Sequence, residues 1–156
     1  MPQFFDLAEF KAACPKGRLM GIDAGSKTLG LALCDETRLV ASTLQTIHRK
    51  KWQQDQCILE NLFQTFFIQG IVVGWPLNMN GTQGPRCQAT QDFVKNLLKV
   101  KDMPCLFWDE RLSTVAVTRT LLEADVSRKK REKVIDALAA AYILQGCLDA
   151  LAYVTL

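Results

Sequence analysis

Two apolar runs separated by a short polar insert dominate the first part of the chain. Runs of this length, rich in Leu, Val, Ile and Thr, are typical of strands, and the Gly-Ser-Lys insert is typical of a turn. The links between the runs are short, so we expect an antiparallel meander. The pattern predicts a short amphipathic helix followed by three strands: 3–13, Leu19–Ala24, Leu29–Cys34 and Leu39–Ile47.

Beyond residue 50, apolar residues recur at helical spacing and alternate with short buried runs. The predicted helices are Gln53–Phe67, Gln88–Leu98, Ser113–Ala124 and Lys133–Leu151, with Ser113 as an N-cap. The predicted strands are Gly70–Pro76 and Pro104–Glu110, with a loop over Leu77–Pro85. This order predicts an α/β fold whose mixed five-stranded sheet has three antiparallel strands and then two parallel strands joined by helical crossovers.

Composition narrows the class of protein. The chain has 156 residues, 49% of them apolar and 22% charged, which suits one globular domain over 1–156. Six cysteines without a Cys-x-x-Cys pair, and a single histidine, provide no zinc site and indicate a reducing cytosol. The N-terminus has no basic leader, and the longest uncharged run near the C-terminus falls short of the ~20 residues that span a bilayer. We therefore expect a soluble, cytoplasmic protein without a membrane partner.

Acidic residues stand at the predicted ends of strands. Asp23 interrupts the first apolar run near its end, where a buried, unpaired carboxylate would cost several kcal/mol. Asp109 and Glu110 end the last strand, and ligands collect at the carboxyl ends of parallel strands. Asp136 heads the helical stripe of residues 136, 140, 143 and 147, which is otherwise small and apolar. The pattern predicts that these acids approach one another at one edge of the sheet.

Three carboxylates in one cleft repel each other and need cations. Oxygen ligands suit Mg²⁺ or Mn²⁺, and two such ions can activate a water and stabilise the leaving oxygen in phosphodiester cleavage. Simpler interpretations exist for each acid. Asp23 can be a turn residue, Asp136 can favour a helix N-terminus, and Asp109 and Glu110 can pair with Arg111 at the surface.

Four segments in order resemble the YqgF family, also called RuvX, of the RNase H-like superfamily: GIDAGSKTLGLAL, IVVGWPLNMNGT, DERLST and VIDALAAAYIL. The resemblance runs from about residue 18 to residue 151. It implies an RNase H-like fold with helices on both faces of the sheet. It also implies metal-binding, catalytic acids at Asp23, at the Asp-Glu pair and at Asp136. Strand alternation puts Asp109 and Glu110 on opposite faces. We favour Glu110 and keep Asp109 as the second candidate.

Further motif residues are candidates for substrate binding. The resemblance gives Lys27 and Thr28 phosphate contacts, and Gly25 either a positive φ or a close approach. Arg111 can bind phosphate or brace the neighbouring carboxylates. Asn78 lies in a loop expected near the cleft, although a plain tight turn explains that loop nearly as well.

Two segments depart from the family pattern. Trp75 replaces a smaller aliphatic residue, and we expect it to pack in the core rather than stack on a base. Residues 1–17 precede the motifs and can cover a sheet edge or contact a partner.

Two basic runs, His48–Lys51 and Ser127–Lys133, stand out from a net charge of only +3. Such runs are usually solvated loops. The second, however, lies directly before Asp136, so its cations can hold a phosphate backbone across the cleft. These cations are Arg128, Lys129, Lys130 and Arg131.

The leading hypothesis is a metal-dependent nuclease that processes the 5′ end of pre-16S rRNA during ribosome biogenesis. The alternatives are a Holliday junction resolvase acting on branched DNA and a non-catalytic RNA-binding assembly factor. The Gly-rich turn also resembles the phosphate loop of sugar kinases and actin-like ATPases, but this chain has no room for their second domain. The sequence leaves open a monomer or a homodimer.

Overall fold

A mixed sheet forms the centre of the computed structural model, which describes residues 3–112 and 128–155, without the side chains of 128–135. The strands are β1 Gln3–Phe4, β2 Arg18–Ala24, β3 Thr28–Cys34, β4 Ala41–His48, β5 Ile68–Trp75 and β6 Cys105–Asp109. The helices are α1 Leu7–Ala13, α2 Trp52–Thr65, α3 Pro85–Val100 and α4 Arg128–Leu151, and a 3-10 turn spans Glu110–Leu112. The helix predicted over Ser113–Ala124 lies outside the described residues.

The strand order is β1-β6-β5-β2-β3-β4. Strands β2, β3 and β4 pair antiparallel, whereas β5 pairs parallel with both β2 and β6. The predicted arrangement of three antiparallel and two parallel strands is therefore confirmed. The predicted number of five strands is wrong, because β1 adds a sixth strand beside β6.

The N-terminal segment corrects a second prediction. Residues 3–13 are not one helix, since Gln3 and Phe4 pair with β6 along the edge of the sheet. Asp6 then accepts a hydrogen bond from the backbone N–H of Ala8 at 2.9 Å, which is an N-cap and starts α1 at Leu7. Of the two roles considered for residues 1–17, the segment has the first, because β1 covers a sheet edge.

Helices pack on both faces of the sheet, as the family resemblance implied. On one face, α2 and α3 bury large side chains of the strands, including Met20, Ile22 and Val73. On the other face, α1 and α4 pack around Leu19, Val72 and Trp108 among others. The expected core position of Trp75 is confirmed by its 5% exposure and by its contact with the ring of Phe107.

Three helices start earlier than predicted, α2 by a single residue at Trp52. Pro85 stands at the first position of α3, where its fixed φ suits a helix and its missing N–H is not needed. The basic run from Arg128 onward belongs to α4 and is not a loop.

All six cysteines are free thiols, and burial raises the pKa of Cys147 to about 12. None of the described helices is long and apolar enough to cross a bilayer.

Candidate active site

Asp23 is the penultimate residue of β2 and is only 4% exposed. Both of its cross-strand neighbours are glycines. Gly30 pairs with it on β3, and the pairing of Ile22 with Val73 places Gly74 next to it on β5. The absence of side chains on either side leaves space beside the Asp23 carboxylate on the α4 face.

Asp136 fills the space over Gly30. A Cβ added at Gly30 would collide with the backbone carbonyl oxygen of Asp136, so this position requires glycine for close approach of α4. The Thr28 hydroxyl donates a hydrogen bond to Oδ2 of Asp136 at 2.5 Å. The structure therefore brings Asp136 beside Asp23, although 113 positions separate them in the sequence.

Glu110 fills the space over Gly74. A Cβ at Gly74 would collide with Oε1 of Glu110 and would lie 2.7 Å from Cδ1 of Ile143 in α4. Glu110 thus lies on the same face of the sheet as Asp23 and Asp136. Three acids from β2, the end of β6 and α4 are consequently neighbours around two glycines.

Asp109 has a different environment. It pairs in register with Trp75, whose side chain belongs to the opposite core layer. Its carboxylate accepts hydrogen bonds from the guanidinium of Arg111, the shortest at 2.8 Å, and these bonds lower the pKa of Asp109. Arg111 also donates to the carbonyl of Met79 at 3.4 Å, so it braces Asp109 and the loop after β5.

Asp23, Glu110 and Asp136 offer the oxygen ligands that a hard cation prefers, but their carboxylates do not converge on one point. Carboxylate oxygens are the ligands that Mg²⁺ and Mn²⁺ prefer. In the described part of the chain, however, no group of three or more His, Cys, Asp or Glu side chains lies close enough together to hold a metal ion. The three acids therefore share a neighbourhood, and their side chains would have to turn toward one another to bind an ion together.

A cleft of about 490 Å³ opens beside Asp136, between the β2–β3 turn, the end of β4 and the first turn of α3. Lys27 and Thr28, for which the family resemblance implies phosphate contacts, line it. It is also lined by three basic residues that the sequence analysis did not assign to the site: His48, Arg49 and Arg86. The first two belong to a basic run visible in the sequence, whereas no pattern singles out Arg86.

The β2–β3 turn is closed by a hydrogen bond from the Gly25 N–H to the Thr28 carbonyl at 2.9 Å. Positive φ is not the reason for glycine here, since positive-φ glycines in the described residues are Gly17 and Gly81. A Cβ at Gly25 would lie 3.0 Å from the Thr28 carbonyl oxygen. Of the two explanations considered for Gly25, the structure excludes positive φ, and the short distance to Thr28 favours close approach.

Asn78 lies in a tight turn. Its Nδ2 donates to the Thr82 hydroxyl at 2.9 Å, and its backbone carbonyl accepts from the Gly81 N–H at 2.8 Å. These hydrogen bonds show that Asn78 stabilises the turn, which accounts for an asparagine at this position. The cations of the second basic run have only their backbone described, so the placement of their side chains lies outside the described residues: Arg128, Lys129, Lys130 and Arg131.

The architecture is similar to RuvC of Thermus thermophilus in complex with a Holliday junction substrate, with a TM-score of 0.56. The likeness covers 89% of this chain and 98% of that chain at 13% sequence identity, so it shows the fold alone. The fold is therefore of the RNase H-like class.

Sequence comparison gives the family. Residues 17–150 match RuvX, described as Holliday junction resolvase, and the chain belongs to this family. A relative from Paramagnetospirillum magneticum, named "Putative pre-16S rRNA nuclease", is 54% identical over 85% of each chain. A relative of the same name from Zymomonas mobilis is 50% identical over 94% of this chain and 90% of its own.

Proposed function

We propose that the protein is a divalent-metal-dependent endonuclease that processes the 5′ end of pre-16S rRNA. As a member of the RuvX family it is a nuclease, and the relatives at 50% identity or more carry the rRNA substrate in their names. The observation that carries the proposal is the meeting of Asp23, Glu110 and Asp136 around Gly30 and Gly74 on one face of the sheet. A nucleic acid is the partner that a nuclease of this family implies.

The same three acids would hold Mg²⁺ or Mn²⁺, in a site that we expect to take two ions. When bound, the ions supply an activated water and charge stabilisation at the leaving oxygen of the phosphodiester. Asp23 is fixed by burial in the sheet, so rotation of the Glu110 and Asp136 side chains would complete the site. Before that rotation, the Asp136 carboxylate accepts a hydrogen bond from the Thr28 hydroxyl.

Substrate contacts come from residues around the acids. Lys27 provides an exposed point charge next to Thr28. Residues 128–131 form the first turn of α4, the helix that also carries Asp136. We propose that these cations bind phosphates on either side of the cleaved bond. Asp109, Arg111 and Asn78 would shape the adjacent loop, given their internal hydrogen bonds.

Branched DNA is the second candidate substrate, because the matching family is described by Holliday junction resolution. Resolution cuts two symmetric strands and would require a homodimer, whereas rRNA trimming is possible for a monomer. We propose that residues 1–156 form one nuclease domain. Action on pre-rRNA would place the protein in the cytoplasm.

The test compares cleavage of a pre-16S rRNA 5′ leader and a four-way DNA junction in Mg²⁺, in Mn²⁺ and in EDTA. We expect metal-dependent cutting of the leader and loss of that cutting in Asp23→Asn, with the fold retained by circular dichroism. Cleavage of the junction alone would show that branched DNA is the substrate and that the protein is a resolvase. RNA binding without cleavage of either substrate would favour the non-catalytic assembly factor.

A further inference from the structure

The cleft beside Asp136 has a basic wall. In the described part of its lining, the charged side chains of Lys27, Arg49 and Arg86, together with His48, face the carboxylate of Asp136. We call this feature the basic cleft. Its volume of about 490 Å³ is within the range of small-ligand sites, and its wall draws on three separate elements of the fold.

Arg49 is held in place by contacts to two elements. Its Nη1 donates to the Gly25 carbonyl at 2.7 Å, and its backbone N–H donates to the Lys27 carbonyl at 2.8 Å. Its guanidinium carbon also lies 5.4 Å from the centroid of the Phe93 ring in α3, which is cation–π distance. Because these contacts fix the guanidinium, a phosphate bound beside it would immobilise little further side-chain freedom.

Arg86 adds an exposed charge at the N-terminal end of α3. The N-cap residue Gly84 makes no side-chain capping bond, and the first turn contains no acid. The partial positive charge of the helix N-terminus therefore adds to the Arg86 guanidinium rather than being offset by a local carboxylate. This end of α3 faces the same cleft as Lys27, which the β2–β3 turn supplies from the other side.

The composition of the lining indicates what the cleft can recognise. The remaining residues are small: Ala24, Gly25, Ser26, Thr28 and Ala89. Among the described residues of the lining there is no Phe, Tyr or Trp, and cationic side chains outnumber the one aromatic ring, that of His48. A lining dominated by cations is the arrangement that contacts phosphates, which carry no sequence information.

We propose that the basic cleft binds the sugar-phosphate backbone of the substrate strand on the β4 side of Asp136. Arg49 is the pre-positioned phosphate contact, and Arg86 and Lys27 are the exposed ones. The proposal rests on the function proposed above and deepens it, because it assigns the path of the strand as it leaves the acids.

The test measures binding rather than cleavage, so that it does not depend on the chemistry. Fluorescence anisotropy with a labelled single-stranded uridine oligomer in EDTA would compare Arg86→Gln with Lys99→Gln. Both residues lie on α3 and are exposed, and both variants remove one positive charge, but Lys99 is in the last turn, away from the cleft.

We expect Arg86→Gln to weaken binding about tenfold, as for loss of a hydrogen bond to a charged group. The slope of log K against log salt should also flatten by about 0.7, the value for one phosphate contact to a single strand. Lys99→Gln should match the wild type in both quantities. Equal effects of the two variants would overturn the proposal, because net charge alone would then explain binding.

Two further arms separate the outcomes. A thymidine oligomer should show the same loss in Arg86→Gln, since phosphates are common to RNA and DNA, and a loss confined to RNA would contradict a phosphate contact. If no substrate is cleaved but Arg86→Gln still weakens oligomer binding, the result supports phosphate binding by the basic cleft and contradicts the proposed nuclease activity. Absence of oligomer binding by the wild-type protein at low salt would overturn the basic cleft itself.

Discussion

The two faces of the sheet are built from the same strands but differ where the acids lie. On the α2/α3 face, β2 presents Met20 and Ile22, both fully buried among large neighbours. On the α4 face, the same strand presents Gly21 and Asp23, and a Cβ at Gly21 would lie 2.7 Å from the carbonyl oxygen of Ala140. Around the acids, the α4 face gives up side-chain bulk so that a helix backbone can touch the strands, whereas Leu19 at the start of β2 is fully buried on that same face.

Because of this difference, one set of positions contributes mainly to the stability of the fold and another mainly to the placement of the acids. Burying a Leu, Ile or Met side chain stabilises the fold by roughly 1.5–3 kcal/mol, whereas a glycine contributes nothing of this kind. The α4 face forgoes that stabilisation at Gly30 and Gly74, and in return the backbone of Asp136 and the carboxylate of Glu110 lie beside Asp23. We infer that substitutions on the two faces affect different measurements.

The adjacent acids Asp109 and Glu110 provide the strongest contrast, because they contact opposite faces. We predict that Glu110→Gln reduces the cleavage rate by more than about 100-fold, the upper end of what loss of an outer-shell metal partner costs. Asp109→Asn should stay within about tenfold of the wild type, since its partner is Arg111 rather than the other acids. Single-turnover cleavage measures both. Equal losses would refute the assignment of Glu110 to the site.

Gly30→Ala should damage both stability and activity. The added methyl group meets the backbone carbonyl of Asp136, which cannot move without a shift of α4. We expect a loss of about 1–3 kcal/mol in the free energy of unfolding, as for overpacked cores, together with reduced cleavage. Urea unfolding and cleavage of the same preparation provide the two readouts. Wild-type stability in this variant would show that α4 does not pack against Gly30 as described.

Gly74→Ala should reduce activity more than stability. The methyl group here meets only side-chain ends, Oε1 of Glu110 and Cδ1 of Ile143, which can rotate away. We predict about tenfold slower cleavage, equivalent to 1.4 kcal/mol in the barrier, with a smaller change in unfolding free energy. Gly70→Ala on the same strand is the control, because its neighbours are Cys14, Leu19 and Pro104. A larger loss of cleavage in the control would contradict this explanation.

The Asp109–Arg111 pair gives the smallest expected effect. Its hydrogen bonds hold the pKa of Asp109 below the ordinary value of 3.8. A lowered carboxyl pKa adds stability above the unfolded-state pKa, and that stability is lost as the pH falls through the lower folded-state value. The Tm of the wild type should exceed that of Arg111→Gln slightly at pH 7, and the difference should vanish in acid. A difference that persists at pH 2 would point to packing of Arg111 instead.

Much of this arrangement is visible in the sequence because it depends on local pattern. The strand ends at Asp23 and Glu110 and the small-residue stripe headed by Asp136 are enough to predict acids at one sheet edge. The position of β1 was not predictable, since a two-residue strand has no periodicity and forms through its pairing with β6.

The part of the site that sequence reasoning missed depends on tertiary contact. An exposed arginine in the first turn of a helix, such as Arg86, looks like any solvated charge until the β2–β3 turn is placed opposite it. The need for glycine at Gly30 and Gly74 likewise comes from the register of three strands and the approach of α4. Neither is encoded within a short window of the chain.

The metal site is tested most directly by Mn²⁺ binding, followed by electron paramagnetic resonance, in three proteins: wild type, Asp23→Asn and Asp109→Asn. We expect the wild type and Asp109→Asn to bind Mn²⁺ with similar affinity, and Asp23→Asn to bind it at least about tenfold more weakly while remaining folded. Undiminished Mn²⁺ binding by Asp23→Asn would contradict the claim that the glycine-flanked acids on the α4 face form the metal site.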